Sequence, residues 1–225
     1  MFEEKEAIVG IDSEALAYWF FRLNGFLTIT NFVVHPDSGR EQRTDVDILG
    51  VRFPYRSENR KKPMADFRAF TEVKDKPYII IAEVKERTCN LNGSWTHKHQ
   101  KNINRVLAAV GVLESCLIDE ASEDLYNNGA YENSDAYVSL VCVGDKKNRE
   151  LGDNHPQVPQ VTWDQVLGFI FGRFSLYYDQ KANHPQWDKT GKLLWNCFRD
   201  CRGEFSQFQG AVRANAPWIM LESNR

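Results

Sequence analysis

The chain has 225 residues, of which 42% are hydrophobic and 26% charged, a composition typical of a soluble globular protein with one hydrophobic core. No apolar run approaches the roughly 20 residues that a membrane-spanning helix needs, and the N-terminus does not resemble a secretory signal. The five cysteines follow no regular spacing, which favours reduced thiols and a cytoplasmic location over a disulfide framework. A net charge of −3 argues against a protein that coats nucleic acid without specificity.

Charged residues are distributed unevenly along the chain. Between residues 85 and 105 basic side chains outnumber acidic ones five to one, whereas residues 113–135 hold seven acidic side chains and no Lys or Arg. This asymmetry is compatible with a basic surface that orients the protein on a polyanion and a separate acidic surface. It is equally compatible with two ordinary solvated faces, so both interpretations stay open.

The hydrophobic pattern predicts alternating helices and strands. In chain order these are a helix over 13–24, strands over 26–34 and 44–53, a strand over 78–82 that runs into Glu83-Val84-Lys85, a helix from 97 to about 117, a strand over 136–143, and helices over 163–174 and 189–202. A turn is expected at 35–39, and the polar connection over 55–76 is expected to be functional or disordered, with a short helix near 64–70. The order favours a single α/β domain spanning 1–225, with a core at about 11–145 and a helical part at about 160–225.

Two of these strands carry acidic residues where buried strands usually avoid charge, because an unpaired, desolvated carboxylate is costly. Asp45 and Asp47 share one face of the strand over 44–53, and Glu83 and Lys85 share one face at the end of the strand over 78–82. If the two strands are neighbours, Asp47 and Glu83 can share a metal ion, since Mg²⁺ takes oxygen ligands from one or two carboxylates. Lys85 would then lie where its ammonium group steers an attacking water and offsets the charge of a phosphate.

An acidic residue before Ile-Leu-Gly-Val, followed by an Ile-rich strand that ends in Glu-Val-Lys, resembles the pattern of the PD-(D/E)xK nuclease superfamily. The resemblance covers about residues 13–111 and implies a restriction-endonuclease-like fold, an α/β fold of three layers with a central mixed β-sheet flanked by helices. It implies that Asp47 and Glu83 bind Mg²⁺, for which Mn²⁺ can substitute, and that Lys85 positions or activates water. Glu14 matches a glutamate that many members carry on the first helix in support of the metal site. The chain departs from many members in having no Pro before Asp47 and a long interval between the two halves of the pattern.

The resemblance therefore implies a metal-dependent nuclease that hydrolyses phosphodiester bonds in DNA, as an endonuclease that leaves 5′-phosphate and 3′-hydroxyl ends. The expected partner is nucleic acid, with no membrane association, and a chain of this size is expected to act as a homodimer or as a subunit of a larger complex. The alternative is a catalytically silent nucleic-acid- or protein-binding subunit on the same fold. A sugar or nucleotide enzyme on another α/β fold has little support, because no Gly-rich phosphate loop or nucleophile elbow occurs.

Further residues near this pattern are weaker candidates, each with an alternative. Asp45 could hold a second metal ion or lie further out in solvent. Four residues that follow Lys85 in the chain are candidates to assist at a phosphate, and no spacing decides among them: His97, His99, Gln100 and Lys101. Trp95 could stack on a base or anchor the packing of its loop.

Two more groups lie outside the pattern. Basic residues on either side of the second strand could grip phosphates, although acidic residues are interleaved with them: Arg40, Arg43, Arg56, Arg60, Lys61 and Lys62. Cys197 and Cys201 lie four residues apart on a predicted helix, and with no second ligand pair nearby they are expected to be buried thiols rather than zinc ligands.

Overall fold

The computed structural model of the chain describes residues 10–36, 44–182 and 187–219. The strands in these residues are β1 (Leu27–Val34), β2 (Thr44–Arg52), β3 (Tyr78–Val84), β4 (Ala130–Glu132), β5 (Tyr137–Gly144) and β6 (Gln160–Thr162). Four of them are the predicted strands, with bounds that differ from the prediction by two residues at most. The sequence did not predict β4 and β6, because each has only three residues, too few to show a hydrophobic periodicity. Most of the turn expected at 35–39 lies outside the described residues.

The helices of the described residues are α1 (Ser13–Leu23), α2 (Gly93–Thr96), α3 (Asn102–Val110), α4 (Ile118–Asn128), α5 (Arg149–Asn154), α6 (Trp163–Leu176), α7 (Tyr178–Lys181), α8 (Lys189–Asp200) and α9 (Phe205–Asn215). The prediction of one helix over 97–117 is wrong. Lys101 and Gly111 both have positive φ, 53° and 68°, which a continuous right-handed helix cannot contain, so α3 occupies only the stretch between them. The acidic segment that follows forms α4, which the sequence did not predict.

The strands form one mixed sheet, which contains six strands in the described ranges. β1, β2 and β3 are antiparallel neighbours, and β5 pairs in parallel with β3. The other edge of β5 pairs with β4 at its start and with β6 at its end. A parallel pair requires a crossover connection, which α2, α3 and α4 supply between β3 and β5.

Helices cover both faces of this sheet. Tyr78 and Ile80 of β3 belong to a hydrophobic cluster that includes residues of α1, α6, α8 and α9, whereas Ile79 and Ile81 belong to a second cluster with α3 and α4. All seven residues of β3 are buried, as a continuous apolar run predicts for a strand covered on both sides. The expected α/β architecture with a mixed sheet flanked by helices is confirmed. In the described part of the chain, no helix combines the length and apolar character needed to cross a membrane.

Buried ion pairs attach the long connection between β2 and β3 to the rest of the fold. Asp66, in the middle of this connection, pairs with Arg52 (2.6 Å), Arg56 (2.5 Å) and Arg173 of α6 (2.8 Å). The side chain of Arg173 is fully buried and also pairs with Glu58 (3.2 Å). The connection is therefore held in place, with the single 3₁₀ turn Arg68–Phe70 where a short helix was expected near 64–70.

Candidate active site

The two acidic residues predicted to share a metal lie opposite each other on neighbouring strands. Ile48 pairs with Ala82 in the antiparallel register of β2 and β3, so the next residues along the two strands, Asp47 and Glu83, face each other. Oδ2 of Asp47 accepts a hydrogen bond from the backbone N–H of Val84 at 2.6 Å, which joins the two strands at this point. The structure thus brings both carboxyl groups to the same end of the sheet.

The carboxylate of Glu83 is buried and held on both oxygens. Glu83 is only 2% exposed. Its Oε1 is paired with the ammonium group of Lys85, and its Oε2 accepts a hydrogen bond from the indole Nε1–H of Trp95 at 2.5 Å. Pairing and hydrogen bonding are what allow a carboxylate to remain ionised out of water.

Lys85 is fixed by its backbone and retains a partly exposed side chain. Its N–H donates to the carbonyl oxygen of Val143 in β5 (2.8 Å), and its carbonyl oxygen accepts from the indole of Trp163 in α6 (3.1 Å). The ammonium group also donates to Oδ1 of Asn92 at 3.0 Å, and 27% of the side chain is exposed. Lys85 can therefore reach both Glu83 and a molecule that approaches from solvent.

Glu14 lies in the first turn of α1, and its charge is affected by carboxyl groups of β2. Burial raises the pKa of Glu14, and the negative charges of Asp47, Asp12 and Asp45 raise it further. A hydrogen bond with the side chain of Asn31 acts in the opposite direction. The charge of Asp47 thus acts on Glu14, while the role of Glu14 in support of a metal site stays a prediction.

Asn31 is a residue of this region that the sequence analysis missed. Thr30 pairs with Ile48 and Phe32 with Val46, so Asn31 stands opposite Asp47 in the register of β1 and β2. Its φ of 51° is left-handed, a conformation that Asn adopts more readily than the β-branched residues around it. A lone Asn within the apolar and threonine-rich run of β1 was the available signal.

The site concentrates negative charge in partly dehydrated surroundings. The pKa values of Glu14, Asp47 and Glu83 are all raised, mainly by burial and further by neighbouring carboxylates. Lys85 opposes this shift for Asp47 and Glu83, and Asp45 adds to it for Asp47. Because like charges and burial both disfavour the ionised forms, a cation bound between Asp47 and Glu83 would stabilise their ionised carboxylates.

Comparison with known proteins does not identify a family for this chain. No family model matches the chain, and neither the curated proteins nor the solved structures contain a match. The roles of these residues therefore stay predictions that depend on the geometry and on the sequence pattern.

The donor set at this site fits Mg²⁺ or Mn²⁺. No group of three or more His, Cys, Asp or Glu in the described residues is arranged to hold a metal, and the site offers a pair of carboxylates instead. Mg²⁺ is commonly bound in proteins by one or two carboxylates, while water and substrate phosphate complete its six oxygen ligands. Asp47 and Glu83 supply that number and kind of ligand.

The weaker candidates after β3 lie on a separate, mostly exposed turn. The rings of His97 and His99 stack with 5.6 Å between centroids, and the amide of Gln100 contacts His97 (3.5 Å) and Asn102 (3.0 Å). Lys101 is exposed at the left-handed position before α3. Their roles stay open. Trp95, by contrast, is 1% exposed, so it is a packing anchor and cannot stack on a base.

The candidate phosphate-gripping residues divide into several groups. Arg56 is taken up by the ion pairs with Asp66 and Glu58, and Lys62 donates to the carbonyl oxygen of Leu176 at 3.3 Å. Arg60 and Lys61 are exposed. Arg40 and Arg43 lie outside the described residues.

The two cysteines considered as zinc ligands, Cys197 and Cys201, are buried free thiols, as expected.

The basic and acidic segments of the sequence meet at the contact between α4 and the residues around α3. Lys98 pairs with Glu123 of α4, and the amide of Asn104 in α3 donates to Asp119 of α4 at 2.8 Å. The acidic helix therefore lies beside the basic segment and neutralises part of it. The two interpretations of the charge asymmetry, a basic and an acidic surface or two ordinary solvated faces, both stay open.

Proposed function

We propose that the protein is a Mg²⁺- or Mn²⁺-dependent nuclease with a restriction-endonuclease-like fold. The observation that carries this proposal is the register of β2 and β3, which puts Asp47 opposite Glu83 while Lys85 pairs with Glu83. The order of α1, then β1 to β3, then α3 and β5 supports it, because it is compatible with the fold that the sequence pattern implied.

In this proposal each residue has a distinct task. Asp47 and Glu83 hold the metal ion, and Glu14 adds negative charge beside Asp47. A bound Mg²⁺ supplies Lewis-acid activation of water and neutralises charge on the scissile phosphate. Lys85 steers the attacking water and donates to a phosphate oxygen, for which its partly exposed side chain is suited.

We further propose DNA as the substrate and endonucleolytic cleavage to 5′-phosphate and 3′-hydroxyl ends. Cleavage of both strands of a duplex in one binding event takes two sites of this kind. A homodimer, or a larger complex in which this chain is the nuclease subunit, would provide them.

The test is cleavage of supercoiled plasmid, single-stranded DNA and RNA with Mg²⁺, Mn²⁺ or EDTA. We expect metal-dependent nicking that falls at least about 100-fold in Asp47→Ala and in Lys85→Ala. Glu123→Ala is the matched control, since it also removes one charge from an ion pair, but its side chain is 58% exposed on α4. This variant should cleave like the wild type.

The outcomes separate the proposal from its rival. Cleavage that survives in Asp47→Ala, or that EDTA does not affect, would contradict the proposed site. If the wild type is as inert as the variants but binds nucleic acid, the chain is a catalytically silent binding subunit instead.

A further inference from the structure

Trp95 touches the candidate metal ligand without being accessible to a substrate. Its indole nitrogen lies 2.5 Å from Oε2 of Glu83, and only 1% of the residue is exposed. The other oxygen of Glu83, Oε1, is paired with Lys85 instead. The two oxygens of the same carboxylate thus have partners of different kinds, a fixed neutral donor and a movable cation.

The indole is fixed because its surroundings hold it on several sides. Trp95 lies in α2, and its backbone N–H donates to the carbonyl oxygen of Asn92 at 2.9 Å. The buried side chain of Asn102 donates to the carbonyl oxygen of Ser94 at 3.3 Å and ties this turn to α3. The ring itself packs in the hydrophobic cluster of α3 and α4. It cannot turn away from Glu83 without disturbing that cluster.

Lys85, in contrast, has an alternative partner. Its ammonium group already donates to Oδ1 of Asn92 at 3.0 Å as well as to Glu83, and its side chain is 27% exposed. It can therefore leave Oε1 and keep one hydrogen bond. An ammonium group and a divalent cation compete for the same carboxylate oxygen, since both are attracted by its negative charge.

We propose that Trp95 is a positioning residue: its indole N–H holds Oε2 of Glu83, so that Oε1 is the oxygen presented to the metal, and Lys85 leaves Oε1 when the metal binds. This inference rests on the proposed function, because it assumes that Glu83 is a metal ligand. Groups that orient a ligand in this way typically contribute about 10- to 100-fold to metal affinity.

The test compares Trp95→Phe with Trp19→Phe. The first variant keeps an aromatic ring in the cluster and removes the N–H donor. Trp19 is a matched control, because it is 2% exposed and its indole also donates to a carboxylate, Asp188, at 3.0 Å, but at the start of α8. Mn²⁺ affinity is measured by calorimetry on folded protein. We expect Trp95→Phe to bind Mn²⁺ about 10- to 100-fold more weakly, and Trp19→Phe to bind it as the wild type does.

Nitrogen-15 spectra of the indole groups supply a readout that does not depend on metal affinity. The resonance absent from Trp95→Phe identifies the indole of Trp95 in the wild type. We expect that resonance to shift in Glu83→Gln and during titration with Mg²⁺, while the resonance of Trp19 stays in place. If Trp95→Phe does not fold, the indole resonance of Trp95 is identified as the single one that shifts in Glu83→Gln. That resonance is then followed during the titration with Mg²⁺.

The possible results separate this inference from the proposed function. If the wild type binds no Mn²⁺, the proposed function fails, and the inference fails with it. If the wild type binds Mn²⁺ and folded Trp95→Phe binds it equally well, the inference is overturned and the proposed function stands. If no indole resonance shifts either in Glu83→Gln or on addition of Mg²⁺, the hydrogen bond from Trp95 to Glu83 is not present and the inference is overturned.

Discussion

Asp47 combines two environments that act in opposite directions on its charge. Burial raises its pKa, and the charge of Asp45 adds to this, whereas the Val84 N–H and the charge of Lys85 lower it. Burial prevails, so the ionised carboxylate is less stable in the folded protein than in the unfolded chain. Candidate functional sites often contain groups of this kind, because a site built to bind a cation keeps charges that folding by itself disfavours.

We predict that Asp47→Asn stabilises the protein by about 1 kcal/mol at pH 7.5 while abolishing the proposed nuclease activity. Asn keeps an oxygen that can accept from Val84 and loses the charge. The folded pKa of Asp47 lies above the unfolded value, so its destabilising effect appears as the pH rises above about 4 and is complete above the raised pKa. The difference between variant and wild type should therefore shrink as the pH falls toward 4. Urea unfolding at several pH values measures it, and a variant less stable than the wild type at pH 7.5 would contradict this account.

At the scale of elements, Asp66 links the β2–β3 connection to α6. Its burial acts to raise its pKa, but its hydrogen bonds and ion pairs with Arg56 and Arg52 outweigh burial and hold the pKa below the ordinary value. The side chain of Arg173, which is 0% exposed, depends on Asp66 and Glu58 for its charge partners. This connection is therefore a structural part of the fold.

We predict that Asp66→Ala lowers the free energy of unfolding by about 3 to 5 kcal/mol. The change removes the carboxylate partner of Arg52 and leaves Arg173 and Arg56 with Glu58 alone. Lys98→Ala is the control. It breaks the ion pair with Glu123, whose two side chains are 45% and 58% exposed, and should cost less than about 1 kcal/mol. Urea unfolding of both variants provides the comparison. Equal losses in the two would mean that the Asp66 pairs do not hold the connection.

For the whole molecule, the candidate site joins parts of the chain that are far apart in sequence. Glu14 comes from α1, Asp47 from β2 and Glu83 from β3, and Lys85 is bonded to β5 and α6 through its backbone. A ligand that contacts these residues binds the folded state alone, since the unfolded chain does not bring them together. Binding at the site is therefore coupled to the stability of the whole fold.

We predict that Mg²⁺ at about 100 times its dissociation constant stabilises the wild type by about 2.7 kcal/mol. Asp47→Asn should show no such gain. Carboxylate ligands must be ionised to bind metal, so this gain in stability should decline as the pH falls. Because the pKa values of Asp47 and Glu83 are raised, the decline should begin at a higher pH than it would for ordinary carboxylates. Thermal unfolding at pH 8 and pH 5.5, with NaCl at matched ionic strength as the control, measures this. An equal rise in melting temperature for Asp47→Asn would place the metal elsewhere.

The sequence by itself determined which segments form the centre of the sheet and which residues stand at its end. In β2 the expected alternation holds only in part, since Ile48, Leu49 and Gly50 are buried in succession. The uninterrupted apolar run of β3 reports burial directly, because side chains of a strand point in turn to its two faces and both faces are covered here. The break in that pattern at Asp47, Glu83 and Lys85 was visible for the same reason. β2 and β3 are neighbours, which was the condition for Asp47 and Glu83 to share a metal ion, while the catalytic roles of these residues stay predictions.

Only the tertiary structure decided which groups contact these residues. The bond from Trp95 to Glu83, the position of Asn31 opposite Asp47 and the ion pairs of Asp66 join residues through turns and pairings that periodicity does not encode. The sequence also misplaced both ends of the helix after β3, where Lys101 and Gly111 are left-handed, and missed α4, because an acidic, weakly apolar helix leaves little local signal. Hydrophobic pattern specifies which face of an element is buried, whereas its partners follow from how the whole chain packs.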